Sequence, residues 1–320
     1  MADIIIKKRD VAIDFVKVIA TLLVLNSHMG ICYGKHSVLA TGGGIGDALF
    51  FFVSGFTLFM GKRMDFVNWY KRRVGRIYPT VIAMGLIACL IFGADFSFVE
   101  VMSVGKYWFL QCILVCYLLL YPVIRYEWNL SWCIGGSIAV MVGAFFLFDF
   151  NGQLFYGVNN LFRWIVYFTV MLIGGGIYLN ASKIQYNWRS IPLTVGCVVA
   201  WYLCNYIGMG NALQLLSYIP LIGICVGMYQ VGKSPLIERL FERKISGNVL
   251  FIIGNLCLES YLIQKFIFTD ALNGLFPLNI LLIIVAVLMS AYLLHILSGI
   301  ISQIFDSRPF DWKALLLYKI

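Results

Sequence analysis

Long apolar runs, each of about the 20 residues that a helix needs to cross a lipid bilayer, recur along this sequence from Val11 to Gln303. Hydrophobic residue types make up 61% of the chain and charged residues only 12%. An ordinary soluble domain is about a quarter charged, so this much apolar surface has no soluble core to fill. The runs predict one all-α integral membrane domain over residues 1–320, a bundle of about ten transmembrane helices. The predicted spans are residues 11–31, 43–60, 78–95, 106–124, 131–149, 160–179, 190–207, 210–230, 246–269 and 278–303.

The first run, from Val11 to Ile31, follows three basic residues and in that respect is similar to a secretory signal peptide. It is too long for the apolar part of such a peptide, and no small-residue cleavage site closes it. It also contains ionisable side chains. We therefore expect this run to be retained as the first helix.

Cysteine usage and charge exclude several kinds of site. None of the nine cysteines forms a CxxC pair and most lie inside apolar runs, so neither a disulfide framework nor a zinc site is expected. The net charge of +9 comes from basic residues in the connections between spans. Membrane topology explains that distribution, so a nucleic-acid partner is not expected.

The basic residues also predict an orientation. If the N-terminus is cytoplasmic, the outer connections hold only Lys35 and Lys106, and the other connecting Lys and Arg residues lie inside. Because Lys and Arg in short connections set topology, both termini are predicted to be cytoplasmic. The connections from Gly61 to Tyr78 and from Val231 to Ile245 are amphipathic, and we expect short helices at the membrane surface there.

A stripe of polar side chains follows the first predicted helix. Lys17 and His28 are eleven residues apart, which at ~100° per residue leaves them about 20° apart around the helix and roughly 16 Å apart along it. Asp14 and Thr21 extend the same face. Ionisable groups inside a span usually face a bundle interior or a water-filled cavity, so the stripe is interpreted as one wall of a path across the membrane.

A structural interpretation of the same stripe stays open. Lys17 could extend to the inner membrane surface, with Asp14 as its ion-pair partner. His28 could then be a polar cap at the outer end of the helix.

Several segments of the chain form motifs in a fixed order. The first motif is a basic residue followed, after ten positions, by a histidine, and here these two residues are Lys17 and His28. The second is the segment from Phe50 to Phe56, which reads F-F-x-x-S-G-aromatic and follows a glycine-rich connection. The segment from Arg73 to Pro79 reads R-x-x-R-I-x-P. Together these motifs resemble the acyltransferase-3 family of integral membrane O-acyltransferases, of the polysaccharide O-acetyltransferase type. Two later segments resemble the family more weakly, namely Trp108 to Leu110 and Ser260 to Ile263.

The resemblance implies a multi-pass protein of the bacterial cytoplasmic membrane, in contact with membrane lipids. It implies transfer of an acetyl group from cytoplasmic acetyl-CoA to a hydroxyl of an envelope or surface glycan, free or lipid-linked, without a metal. Two positions depart from the family pattern. Lys17 stands where arginine is more frequent and lacks the bidentate guanidinium fork, and Gln264 stands where the family commonly has histidine.

Acyl transfer to a hydroxyl needs a base, and imidazole is the usual base near neutral pH. Of the three histidines, only His28 lies in a motif, and His295 in the last span is expected to be structural. A carboxylate would orient the base, and both Asp47 and Glu259 are candidates, with neither preferred. The alternative role for Asp47 is the N-cap of the second span.

The cations of the R-x-x-R segment suit the phosphates of coenzyme A, because guanidinium groups bind phosphate through paired, charge-assisted hydrogen bonds. Lipid head groups are the alternative partner. In the mechanism that the resemblance implies, the pantetheine arm extends along the Lys17 wall toward His28. The predicted cofactor-binding residues are Lys17, Arg72, Arg73 and Arg76, with Lys71 in the same cluster.

The acceptor is expected from the outer side or from within the bilayer. The predicted substrate-binding residues are Asp14, Ser54, Trp108, Arg163 and Gln264, with Asn159, Asn160 and Lys265 near the same outer helix ends. Two other functions fit the same pattern. A transporter or flippase for an amino acid or a lipid-linked glycan would also need many spans with charges inside the membrane, and a purely structural subunit predicts no cavity joining His28 to the basic cluster.

Overall fold

The computed structural model describes residues 10–93, 107–147, 160–208 and 212–318. Within these ranges the chain folds into helices, and no β-strand occurs there. The α-helices are α1 (Val11–His28), α2 (Gly30–Tyr33), α3 (Gly43–Met60), α4 (Phe66–Leu90), α5 (Trp108–Arg125), α6 (Leu130–Leu147), α7 (Asn160–Leu179), α8 (Ser190–Ile207), α9 (Tyr218–Gly232), α10 (Pro235–Glu242), α11 (Lys244–Asn255), α12 (Cys257–Ile267) and α13 (Leu278–Ile304). Short 3-10 helices are Gly34–Leu39, Ala212–Ser217, Asn273–Leu275 and Trp312–Leu315.

Nine helices of the described ranges are long and apolar enough to cross a membrane. Helices α11 and α12 meet with a bend of 76°, the geometry of either a broken span or a re-entrant loop. The predicted all-α membrane bundle is therefore confirmed. The predicted orientation stays a prediction, and four of the cations that support it, Lys7, Lys8, Arg9 and Lys106, lie outside the described residues.

The bundle has two ends, which we name by residue. The His28 end is the one where α1 finishes and α3 begins, since only short helices separate them. The Arg73 end is the opposite one, where α3 finishes at Met60 and α4 begins at Phe66.

Helix α4 begins earlier than predicted. The sequence predicts a short surface helix and then a span from residue 78, whereas one continuous helix starts at Phe66. Asp65 caps this helix by accepting a hydrogen bond from the Asn68 N–H at 3.0 Å. Pro79 lies inside the helix, near the buried hydrogen bond of 2.8 Å that joins Thr80 to Ser298 of α13. The basic residues before Pro79 therefore lie on the first turns of a spanning helix, which fixes their directions.

The second amphipathic connection does contain a short helix, as predicted. Helix α10 begins after Ser234, whose hydroxyl accepts a hydrogen bond from the Ile237 N–H at 3.4 Å. Ser, Thr, Asp and Asn are the usual caps at such positions.

Helix α3 lies at the centre of the bundle, where Phe51 and Phe52 are fully buried. Helices α3 and α7 approach so closely that a Cβ atom added to Gly55 would collide with the Met171 carbonyl oxygen. A Cβ atom added to Gly174 would likewise collide with the Phe52 carbonyl oxygen. Small residues allow such backbone contact between membrane helices. The motif-bearing helix α3 is thus locked against α7.

The broken pair α11–α12 packs on α1. A Cβ atom added to Gly254, near the end of α11, would lie 3.2 Å from the Lys17 Cβ. The Asn255 side chain donates a hydrogen bond to the Phe251 carbonyl at 2.7 Å, and such local bonds compete with regular helix geometry. Helix α12 then leaves in a new direction and carries Tyr261 to the His28 end.

Candidate active site

His28 is the last residue of α1 and its side chain is exposed. The chain around it is fixed by Asn26, whose amide donates hydrogen bonds to the carbonyls of Leu39 and Thr41 at 2.8 and 2.9 Å. The Tyr33 hydroxyl donates to the same side chain at 2.6 Å. The imidazole is therefore both accessible and held on a defined turn.

Tyr261 of α12 connects His28 to two other aromatic side chains. Its ring centroid lies 6.2 Å from that of His28, 5.8 Å from that of Phe109 and 6.0 Å from that of Tyr107. The sequence places Tyr261 in a weak motif without assigning it a role. Its position shows that the late motif and the first helix meet at one place.

Asp47 lies in the second turn of α3, which begins at Gly43 and has Gly42 at its N-cap position. The alternative N-cap role for Asp47 is therefore wrong. Its carboxylate is within hydrogen-bonding reach of the Tyr167 hydroxyl and is acted on by the charge of Arg163. Arg163 and Tyr167 are four residues apart on α7, so they share one face.

Arg163 also meets Trp108, another predicted site residue. The guanidinium carbon lies 4.4 Å from the centroid of the Trp108 ring, within the range of a cation–π contact. Trp108 in turn stacks near Tyr167, with 6.0 Å between ring centroids. Three predicted site residues, Asp47, Trp108 and Arg163, thus belong to one cluster around Tyr167.

A small cavity of about 40 Å³ lies between this cluster and the His28 side of α1. Asp47, Cys257 and Tyr261 supply its polar groups, and Val24, one turn before His28, lines it too. The remaining lining residues are Phe50, Phe109 and Leu258. The cavity joins α1, α3, α5 and α12 at the His28 end.

Glu259 lies elsewhere. Its side chain is buried, and one carboxylate oxygen is 3.1 Å from the Nδ1 atom of His295 on α13. Among the described residues, neither Asp47 nor Glu259 hydrogen-bonds to His28. The assignment of Glu259 as the carboxylate that orients His28 is thus replaced by a pair with His295.

The sequence carries a signal for that pair. His295, Ser298 and Ser302 are three and four residues apart, so they form a polar face on an otherwise apolar last span. This polar face indicates that His295 has a polar partner on a neighbouring helix. Thr80 and Ser298 make the next polar contact along it.

The polar stripe of α1 faces the broken pair along its length. Lys17 Nζ lies 3.6 Å from the Asp14 carboxylate, which is the ion pair of the structural interpretation. The Thr21 hydroxyl donates to the Lys17 carbonyl at 2.9 Å, and Cys257 lies beside both Lys17 and Thr21. Together with the contact between His28 and Tyr261, these contacts place α12 over the stripe.

The basic cluster of α4 is divided between two directions. Arg72 and Arg76 are one turn apart and line a groove of about 980 Å³ on the side of the bundle, together with Lys71. Arg73 points about 100° away from Arg72, and its guanidinium carbon lies 5.2 Å from the ring centroid of buried Trp69. The residues of the predicted phosphate site are therefore divided between two surfaces, and the binding of coenzyme A by them stays a prediction.

Arg73 lies among hydroxyl groups inside the Arg73 end. Its Nε atom is buried and has no hydrogen-bond partner among the described residues. Its charge acts on Tyr117, whose hydroxyl is within hydrogen-bonding reach of Ser54. No carboxylate of the described residues pairs with Arg73, so its Nε–H remains a donor for an anion.

Ser54 and Asp47 lie on the same face of α3, seven residues and about 10 Å apart. Between them, Phe51 and Phe109 pack with 5.1 Å between ring centroids. The cavity beside Asp47 and the groove beside Arg72 share no lining residue. The two ends of the predicted path are therefore aligned but separated by packed aromatic rings.

The other predicted acceptor residues are dispersed. Gln264 is buried, and its Oε1 atom has no hydrogen-bond partner among the described residues. The Lys265 ammonium lies 4.7 Å from the ring centroid of Phe266. Asn159 and the side chain of Asn160 lie outside the described residues.

Comparison with known proteins gives the family. A family profile described as an acyltransferase domain matches residues 10–298, which include every helix that contributes to this site. No curated protein and no solved structure matches the chain. Since the matched region is most of the chain and the helices are those of a membrane bundle, the protein belongs to the acyltransferase-3 family and is a multi-pass membrane acyltransferase.

Proposed function

We propose that the protein transfers an acetyl group from acetyl-CoA to a hydroxyl of an envelope or surface glycan, in the bacterial cytoplasmic membrane. The observation that carries the proposal is the convergence of an accessible histidine with Tyr261 and the Asp47–Arg163 cluster at the His28 end. At the opposite end of α3 lies Arg73, whose buried Nε atom has no hydrogen-bond partner among the described residues. Such an arrangement suits a donor and an acceptor that approach from opposite sides.

His28 is the base in this proposal. Its imidazole takes the proton of the acceptor hydroxyl while that oxygen attacks the thioester carbonyl, and the thiolate of coenzyme A leaves. Tyr261 packs against the imidazole and limits its orientation. Asp47 acts on Arg163 and Tyr167 rather than on His28, so it is a positioning residue for the acceptor side.

Arg163 and Trp108 form the proposed acceptor surface. A guanidinium held over an indole presents N–H donors beside an aromatic face. Sugar hydroxyls accept hydrogen bonds, and the C–H face of a sugar packs against an aromatic ring. Gln264 supplies a further carbonyl oxygen that has no protein partner among the described residues.

Arg73 is the proposed contact for a phosphate of the donor. It is a cation whose Nε has no described acceptor, and Ser54 and Tyr117 add hydroxyls nearby. Phosphate oxygens satisfy several guanidinium N–H groups at once. The thioester arm would then follow α3 toward Asp47, past Phe51 and Phe109, with Lys17 on the facing helix.

The decisive experiment measures acetyl transfer by the purified protein in lipid nanodiscs, with radiolabelled acetyl-CoA and envelope glycan extracts. His28→Ala should lower the rate at least about 100-fold, the contribution typical of a general base. His36→Ala is the matched control, because His36 lies at the same end but stacks on Phe276 with 4.8 Å between ring centroids. Transfer by His28→Ala at the rate of the unmodified protein would refute the base assignment.

One observation favours the transporter alternative, namely the bend between α11 and α12. Discontinuous helices form substrate sites in many transporters. Uptake of an amino acid or flipping of a lipid-linked glycan that persists in His28→Ala, without turnover of acetyl-CoA by the unmodified protein, would support that function instead.

A further inference from the structure

The groove of about 980 Å³ is distinct from the candidate active site. It runs between the first turns of α4 and the chain that follows α13, and it shares no lining residue with the cavity beside Asp47. Lys71, Arg72 and Arg76 line its α4 wall, and Arg308 lines the opposite wall. The groove therefore needs an explanation of its own.

Both carboxylates of the groove are already engaged. Asp65 accepts hydrogen bonds from the backbone and side chain of Asn68, and Asp306 accepts from the Arg308 guanidinium at 2.7 Å. These hydrogen bonds hold the pKa of Asp65 and the pKa of Asp306 below their ordinary values, so both groups stay ionised. Asp306 is thus paired with Arg308, whereas Asp65 contributes one negative charge beside the cations of α4.

Four cations and two carboxylates line the groove, so two positive charges remain in excess. In the described part of the chain, no carboxylate lies within ion-pair distance of Lys71, Arg72 or Arg76. Arg72 and Arg76 are one helical turn apart, so their charges repel each other. An anion between them would remove this repulsion, and phosphate matches the guanidinium geometry best.

The groove is amphipathic, which distinguishes a lipid from a nucleotide. Beyond the cations its walls become apolar, with Pro79 and Ile82 on α4 and Ile301 on α13. Phe305 at its rim is 84% exposed, and Trp312 in the following segment is 70% exposed. Exposed tryptophan typically lies at the level of lipid head groups, so the mouth of the groove is expected at that depth.

Gly75 provides the space for a head group. It lies in the groove between Arg72 and Arg76, and a Cβ atom added there would meet no atom within 4 Å. An anion can therefore approach the α4 backbone between the two guanidinium groups.

We infer that this groove binds an anionic membrane phospholipid, with its phosphate on Lys71, Arg72 and Arg76 and its hydrocarbon along Ile82 and Ile301. This site goes beyond the proposed acyl transfer and does not depend on it. Its ligand is a component of the bilayer, and its function is to tie α4 to the end of α13.

The test measures binding of fluorescent phosphatidylglycerol and phosphatidylcholine to the purified full-length chain in detergent. The unmodified protein should prefer phosphatidylglycerol, and the double variant Arg72→Gln/Arg76→Gln should lose about tenfold or more in affinity for it. A control of equal charge change is Lys183→Gln/Arg189→Gln, in the connection before α8. The control should retain the preference.

A second variant fills the groove without changing its charge. Gly75→Phe should weaken phosphatidylglycerol binding by a similar factor, whereas Gly196→Phe on α8, where an added Cβ atom also meets nothing within 4 Å, should not. Equal binding by Gly75→Phe and the unmodified protein would overturn the site.

Coenzyme A supplies the remaining arm of the test. It should bind equally to Gly75→Phe and to the unmodified protein, and should not displace phosphatidylglycerol. Displacement, or loss of coenzyme A binding in Gly75→Phe, would identify the groove as a nucleotide site and overturn the lipid assignment.

Discussion

At the scale of single residues, helix phase divides the charges of α4 between two environments. Arg72 and Arg76 line the groove, while Arg73 lies over the buried ring of Trp69; the charges of both Arg73 and Arg76 act on Tyr117. Adjacent positions on a helix differ by about 100°, so neighbours in sequence need not share a ligand. The sequence contains this information once the helix is known to begin at Phe66, but a predicted span starting at residue 78 leaves the phase undefined.

Arg73→Gln should raise the KM for acetyl-CoA about tenfold or more with a smaller effect on kcat, because charge-assisted hydrogen bonds to phosphate are lost. Acetyl-pantetheine, which lacks phosphate, should react equally with both forms. Initial rates with the two donors measure this difference. Lys62→Gln is the control, because Lys62 is exposed in the connection before the same helix. An equal loss with both donors would place the role of Arg73 in folding or chemistry instead.

At the scale of elements, motif order predicts which helices build the site, but not their contacts. The position of His28 at the end of α1 and its polar stripe follow from spacing alone. The partner of Glu259 could not be predicted, because His295 is distant in sequence and meets it only after α12 packs on α13. The break at Leu256 has a local signal in Gly254 and Asn255, which the surrounding apolar run conceals.

Removal of the Glu259 carboxylate should destabilise the junction of α12 and α13. Glu259→Ala removes the hydrogen bond between the carboxylate and His295 and should lower the free energy of unfolding by about 2 kcal/mol. The matched variant Thr80→Val removes a buried neutral hydrogen bond to Ser298 and should cost about 1 kcal/mol. Denaturant unfolding in mixed micelles measures both. Equal losses of unfolding free energy in the two variants would mean that the Glu259–His295 pair stabilises the fold no more than a neutral hydrogen bond does.

At the scale of the whole molecule, composition and charge distribution predict most of the architecture. The apolar runs predict about ten spans, and the described ranges contain nine continuous spanning helices and one bent pair. The asymmetry of basic residues gives an orientation that places the Arg73 end in the cytoplasm. Neither property indicates that the two ends are separated by packed aromatic rings, because that separation depends on how α3 and α5 meet.

The orientation is tested by reporters joined to the C-terminus. Green fluorescent protein should fluoresce there and alkaline phosphatase should be inactive, because the first folds in the cytoplasm and the second requires the oxidising outer side. A fusion after Lys35 should give the reverse pattern. Active phosphatase at the C-terminus would invert the bundle and move the proposed donor site to the outside.

The contact between α3 and α7 has a mechanical consequence. Gly55 lies against the Met171 carbonyl and Gly174 against the Phe52 carbonyl, so neither helix can rotate without a collision and α3 is held in place against α7. Helix α12 is also held, because Cys257 lies beside Lys17 and Thr21 of α1 and Glu259 pairs with His295 of α13. Because Phe51 belongs to α3 and Phe109 to α5, any opening between these two rings that admits a thioester arm should come from a movement of Phe109 and α5.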